Sequence, residues 1–273
     1  MFYYISKFLI FFIIFLIAFF AYIFSQSDNS STNKPQNSGK NPNNTNYQQN
    51  TTDCRNKNKP HNKSFKINCL WHSQNEQDWE KALDDYYNLV KPQNMMLEKE
   101  LDNLDFHTVK NMNAKQFYNF LHDKYFVWKY TAPNRLATTR KNLEKYINEN
   151  NLSELEEIHK LIFEYDLEDI QNCLKNVRGI KGLGIAGASG LLSLLFPKYF
   201  GTVDQFVVYR LLELENLDKH SFLLKMKPES LTLKDGVILI EIMKNKANEL
   251  NTLFQTDKWT PRKIDKILWS IDR

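Results

Sequence analysis

Two short stretches of this 273-residue chain carry residue types that could do chemistry. The first is Ile180-Lys181-Gly182-Leu183-Gly184-Ile185, a glycine-built corner between two helix-periodic segments. Leu167, Ile170, Leu174 and Val177 mark the helix before it, and Ala188, Leu191, Leu192 and Leu195 the helix after it. Two glycines two apart allow positive φ and close approach to the backbone. The second helix would open with unpaired N–H groups, an anion site suited to a phosphate. The second stretch is Val203-Asp204 ahead of Gln205-Phe206-Val207-Val208. Asp204 stands where a helix N-cap is wanted. Lys175, Arg178, Lys181 and Lys198 surround the corner, either as a local positive patch or as an ordinary solvated face.

Gly182-Leu-Gly184-Ile-Ala-Gly187 also matches G-x-G-x-x-G, with Asp204 twenty residues past Gly184. A dinucleotide-binding fold needs a strand leading into the first glycine. The lead-in here, Asp169–Lys181, is charged and helix-periodic, so no nucleotide cofactor is expected.

Residues from about 178 to 211 resemble the helix-hairpin-helix superfamily of base-excision DNA glycosylases, which includes endonuclease III. Ile180, Gly182, Leu183, Gly184 and Ala188 match the family hairpin, and Val203-Asp204 matches the pair that opens a later helix. The resemblance covers about 35 residues. It implies duplex DNA as partner, with Lys181, Gly182, Leu183, Gly184, Ile185 and Lys198 as the DNA-binding set. It implies that Asp204 stabilises an oxocarbenium-like sugar and orients water as a flipped base leaves. Lyase members carry a catalytic lysine two residues past the second glycine; this chain has Ala186 there, so no Schiff base is expected. The optional iron–sulfur cysteines of the family are absent. The resemblance thus points to a monofunctional, non-lyase glycosylase, with a non-catalytic DNA-binding or protein-interaction domain as the alternative.

The elements that must position these residues read as all-α. Gln77–Val90 places Trp79, Ala82, Leu83, Tyr86 and Leu89 at helical spacing. Asn113 with Gln116 and Ser153 with Glu156 read as capping boxes. Leu233, Val237, Ile240, Met243, Ala247 and Leu250 form a long apolar stripe. Tyr125–Tyr130 reads as a core aromatic cluster or a pocket wall, with Pro133 ending or kinking a helix and a new one running from about Leu136. Thr260 and Pro261 should start a last helix, docked by Ile264, Ile267, Leu268 and Trp269. Its Arg262, Lys263 and Lys266 read as surface charges or added phosphate contacts.

The globular part is expected at residues 66–273. Phe8–Phe24 is seventeen residues without charge or proline, long enough to approach a membrane crossing. It reads as a single-pass anchor within residues 1–24, its orientation undetermined, or as a removable export signal. Residues 25–65, rich in Asn, Ser and Lys, read as a disordered linker. Lys7 and a surplus of four positive charges in residues 25–65 exceed the chain's total of +4, so residues 66–273 net −1. A nucleic-acid binder of that charge must gather its positive residues on one face. Three cysteines at wide spacing, Cys54, Cys69 and Cys173, give no metal-ligand pattern and read as free thiols; Cys54 and Cys69 could pair in an oxidising compartment.

Overall fold

Residues 63–271 are described by a computed structural model, and among them every regular element is helical. They belong to one unit, Tyr47–Arg273. The apolar run at 8–24, most of the expected linker and Cys54 lie outside the described residues. No described helix is long and apolar enough to cross a membrane.

The first helix, α1 (Lys63–Trp71), precedes the first helical segment expected from the sequence, Gln77–Val90. Its polar flank hides a short apolar face: Ile67, Leu70 and Trp71 are buried. Asn68 fixes it by donating to the Glu213 carbonyl at 2.8 Å and accepting from the Glu215 amide at 2.9 Å. Cys69 is disulfide-bonded, against the expectation of free thiols, while Cys173 is a free, buried thiol.

In α2 (Glu76–Leu89) Asn75 caps the start, and Trp79 and Tyr86 face inward. Then come α3 (Pro92–Asp102) and α4 (Phe106–Lys110). The expected capping box of Asn113 and Gln116 opens α5 (Ala114–Phe120), whose Phe117 and Phe120 are buried. A π-helical turn, Leu121–Tyr125, carries α5 into α6 (Phe126–Lys129). Arg140 satisfies the His122 carbonyl in that turn, with its Nε at 3.1 Å and a terminal nitrogen at 2.9 Å.

Pro133 begins α7 (Pro133–Leu143) instead of ending or kinking a helix. Its missing N–H costs nothing in a first turn, so the helix starts three residues before the expected Leu136. A short α8 (Lys145–Asn148) leads to α9 (Leu152–Ile162). The Ser153 capping box does not form: Asn151 is the N-cap, without a side-chain cap bond, and Ser153 lies inside the first turn.

Next come α10 (Ile170–Val177), α11 (Ile185–Leu195), α12 (Gln205–Leu212) and α13 (His220–Leu223). The long α14 (Leu233–Phe254) starts at a capping box of Thr232 and Asp235, and α15 (Pro261–Ser270) at the expected Thr260 cap. The core is organised around α11, which buries every residue except Ala186. It touches α10, α14 and α15, and α15 in turn packs on α2, α12 and α14. A helix apolar on all sides is stable only when enclosed this way.

Candidate nucleic-acid interface

The corner Arg178–Gly184 joins α10 to α11, and its two glycines serve different ends. Gly182 has φ of +99°, a conformation that L side chains avoid. A Cβ there would also lie 2.8 Å from the Thr139 carbonyl oxygen on α7. Gly184 is exposed, with extended φ of −92°, and a Cβ there would meet nothing within 4 Å. Neither strain nor packing requires glycine at that position. It is the N-cap of α11 and supplies no side-chain cap. The first-turn amides of α11 thus lie behind an uncapped, sterically open approach.

Tyr146 of α8 holds this corner from beneath. Its ring is buried, its hydroxyl accepts from the Lys181 amide at 3.1 Å, and the Lys181 ammonium lies 4.3 Å from its ring centre. Leu183 and Ile185 are buried, so any ligand contact there belongs to their backbone. Lys181 reaches Glu154 at 2.9 Å and Glu149 at 3.3 Å, and these carboxylates raise its pKa. Lys175, Arg178 and Lys198 are exposed. Lys198, however, follows the far end of α11, an eleven-residue helix that spans roughly 16 Å at 1.5 Å per residue. The expected DNA-binding set is therefore divided between the two ends of one helix.

Asp204 caps α12, accepting from the amides of Phe206 at 2.9 Å and Val207 at 3.2 Å. It is half-buried. The strand of backbone leading to it is pinned at three points. Ser189 of α11 accepts from the Val203 amide at 2.9 Å and hydrogen-bonds the Ala186 carbonyl at 3.2 Å. The Ser193 and Thr202 hydroxyls meet at 3.0 Å. The buried Asp265 carboxylate accepts from the Thr202 amide at 2.7 Å. Burial pushes the Asp265 carboxyl up to about 6, against the opposing pull of Arg262.

A further charged residue of this region is absent from the sequence expectations. Lys129, at the end of α6, is half-buried, and its ammonium lies 6.0 Å from the Trp128 ring centre with no hydrogen bond or ion pair to any described residue. Burial lowers its pKa, opposed by the charges of Asp204 and then Asp265. Its side chain runs beside Gly190: a Cβ at that glycine would lie 3.3 Å from Lys129 Cδ. One turn earlier, the Tyr125 hydroxyl donates to the Gly187 carbonyl, and Tyr130 occupies the space next to Gly187 where a side chain would be. Gly187 and Gly190, three apart on α11, form the surface that lets α6 come this close. That spacing was the one available signal. The buried roles of Ser189, Asp265 and Tyr146 left no sequence pattern.

The basic residues of α15 divide. Arg262 and Lys266 are buried, so the surface reading of these two is corrected. Arg262 lies 3.0 Å from Asp102 and 3.5 Å from Glu98, and Lys266 lies 2.5 Å from Asp102 and 3.3 Å from Glu98. Tyr86 and Trp128 complete the cage by donating to Glu98 at 2.7 and 2.6 Å. These cations hold α15 to α3 and are closed to phosphate. Among the described residues no cluster of His, Cys, Asp or Glu could hold a metal ion.

No protein-family model, curated protein or solved structure matches this chain.

Proposed function

We propose that α10, the Arg178–Gly184 corner and α11 form a helix-hairpin-helix unit that grips the phosphodiester backbone of duplex DNA. The domain then acts as a monofunctional base-excision glycosylase or a close relative, with residues 8–24 as its membrane anchor. The observation that carries the reading is Gly184: an exposed glycine that the protein's own packing does not need, at the uncapped start of a buried helix. A residue without a side chain there is accounted for by close approach of an anionic backbone to the first-turn amides.

Asp204 is the group assigned to the chemistry. Its carboxylate would stabilise positive charge developing on a sugar and orient the attacking water. Ala186 offers no amine at the hairpin. The test is excision by the full-length chain from duplexes carrying a panel of damaged or mismatched bases. Asp204→Asn is expected to remove excision while leaving duplex binding intact. Excision that survives this substitution takes Asp204 out of the mechanism.

A second reading is favoured by Lys181, whose ammonium is already engaged by two carboxylates. A membrane-tethered interaction domain would use the same helices without touching nucleic acid, and the disulfide at Cys69 suits an oxidising compartment. A reporter fused to the C-terminus separates the two, because a DNA-binding role requires the domain to face the chromosome.

A further inference from the structure

A cleft of about 520 Å³ opens between α4, the C-terminal end of α9 and the turn after α11, at the opposite end of α11 from Gly184. Three rings form one wall: Phe106, Phe163 and Phe196 lie pairwise 5.9 to 6.5 Å apart between centres. Apart from the hydroxyls of Tyr165 and Tyr199, the only polar side-chain atoms lining it are the amines of Lys110 and Lys198. Both lysines are exposed, and their ammonium groups make no hydrogen bond or ion pair with any described residue. Elsewhere on the same surface, lysines such as Lys160, Lys181 and Lys258 lie within 3.0 Å of a carboxylate.

We infer that this cleft binds an anionic amphiphile, a long-chain fatty acid whose acyl chain lies against the Phe106–Phe163–Phe196 wall and whose carboxylate is held by Lys110 and Lys198. The volume falls within the range of roughly 300–1,000 Å³ typical of small-molecule sites. A sugar or a nucleotide needs several convergent donors and acceptors, and the lining supplies almost none. A cationic ligand is disfavoured by two uncompensated ammonium groups. An apolar body with one negative head satisfies both conditions: the body gains by leaving water, and the head remains at the wet rim beside the lysines. The apolar run Phe8–Phe24 adds a link to lipid, and here the inference rests on the proposed membrane anchor, since a chain held there works where acyl chains are abundant.

The test uses the full-length chain reconstituted in phospholipid nanodiscs and a palmitate carrying a photoactivatable diazirine in its acyl chain. After irradiation, labelled peptides are mapped by mass spectrometry. Apart from the apolar run 8–24, which a bilayer-borne acyl chain labels in any case, labelling is expected within residues 106–110, 162–167 and 195–199, with competition by unlabelled palmitate and none by hexadecanol, which keeps the chain but lacks the charge. The double variant Lys110→Ala/Lys198→Ala is expected to lose labelling about tenfold with an unchanged unfolding midpoint, since both side chains are exposed. Label spread over other surfaces of residues 63–271, equal competition by hexadecanol, or undiminished labelling of the cleft in the double variant overturns the proposal. Competition by lysophosphatidate at lower concentration than palmitate overturns the carboxylate assignment in favour of a phospholipid. None of these outcomes depends on DNA binding.

Discussion

The hydroxyl of Ser189 accepts from the amide of Val203 at 2.9 Å, tying the second turn of α11 to the residue that immediately precedes Asp204. Together with the Ser193–Thr202 contact, this side chain lets the helix capped at Gly184 fix where the candidate carboxylate stands. Its partner on the other side, the Ala186 carbonyl, belongs to the one residue of α11 that is not buried.

Ser189→Ala leaves the Val203 amide buried without an acceptor. Such a loss costs about 1–3 kcal/mol. Equilibrium denaturation should register it, together with faster amide exchange at Val203. A variant as stable as the parent with unchanged exchange would show that the linkage is incidental.

Asp204→Ala removes the cap of α12 as well as the carboxylate, and should lower stability by about 1 kcal/mol. Asp204→Asn keeps an acceptor for the amides of Phe206 and Val207 and should be much closer to the parent in thermal unfolding. Equal losses in the two variants would mean that charge, and not capping, is what Asp204 contributes to the fold.

Arg262→Met empties the cation from a buried cluster that holds the carboxylates of Asp102 and Glu98. Breaking a buried pair from one side costs roughly 3–5 kcal/mol. Urea unfolding measures it. A change below about 0.5 kcal/mol, the scale of an ordinary surface substitution, would place Arg262 on the surface after all.

The pH dependence of stability carries the mark of Asp265. Its carboxyl is raised in the folded chain from 3.8 to about 6, chiefly by burial. Below the lower value both states are protonated and the folded state has its full advantage from this group. As pH climbs through about 6 the buried carboxylate ionises and that advantage is lost. The loss is on the order of 2–3 kcal/mol at about 1.4 kcal/mol per pKa unit. Against the upward pull of its own burial, Asp102 is held below 3.8 by Arg262 and Lys266, so its stabilisation fades only at still lower pH. Comparing the parent with Asp265→Asn between pH 4 and 6 isolates the Asp265 contribution. Parallel curves for the two proteins would contradict it.

Most of the helical plan was legible because it rests on local rules. The Asn113 capping box, the Thr260-Pro261 start and the Asp204 cap are each written within four residues, and all three form. The Ser153 box obeyed the same rule and failed, because Asn151 begins the helix first. The glycine corner was legible as a turn, but the division of labour between Gly182 and Gly184 depends on Thr139, 43 residues earlier, and no local pattern encodes it. Lys129, Ser189 and Asp265 escaped for the same reason: each acts on a neighbour brought close only by the packing of α6, α11 and α15. Lys181 shows the converse limit, since its proximity to the corner was visible but its capture by Glu149 and Glu154 was not.

The central claim, that the start of α11 receives a DNA backbone, is tested most directly by Gly184→Val. Valine is allowed at the extended dihedrals of this position and its Cβ meets no protein atom, so folding should be preserved. Fluorescence polarisation of a labelled duplex, titrated with full-length chain at several salt concentrations, reads the effect. The parent should bind with affinity that falls as salt rises, and the valine variant should bind at least tenfold more weakly at equal thermal stability. Equal affinity of parent and variant, or binding indifferent to salt, would contradict the account.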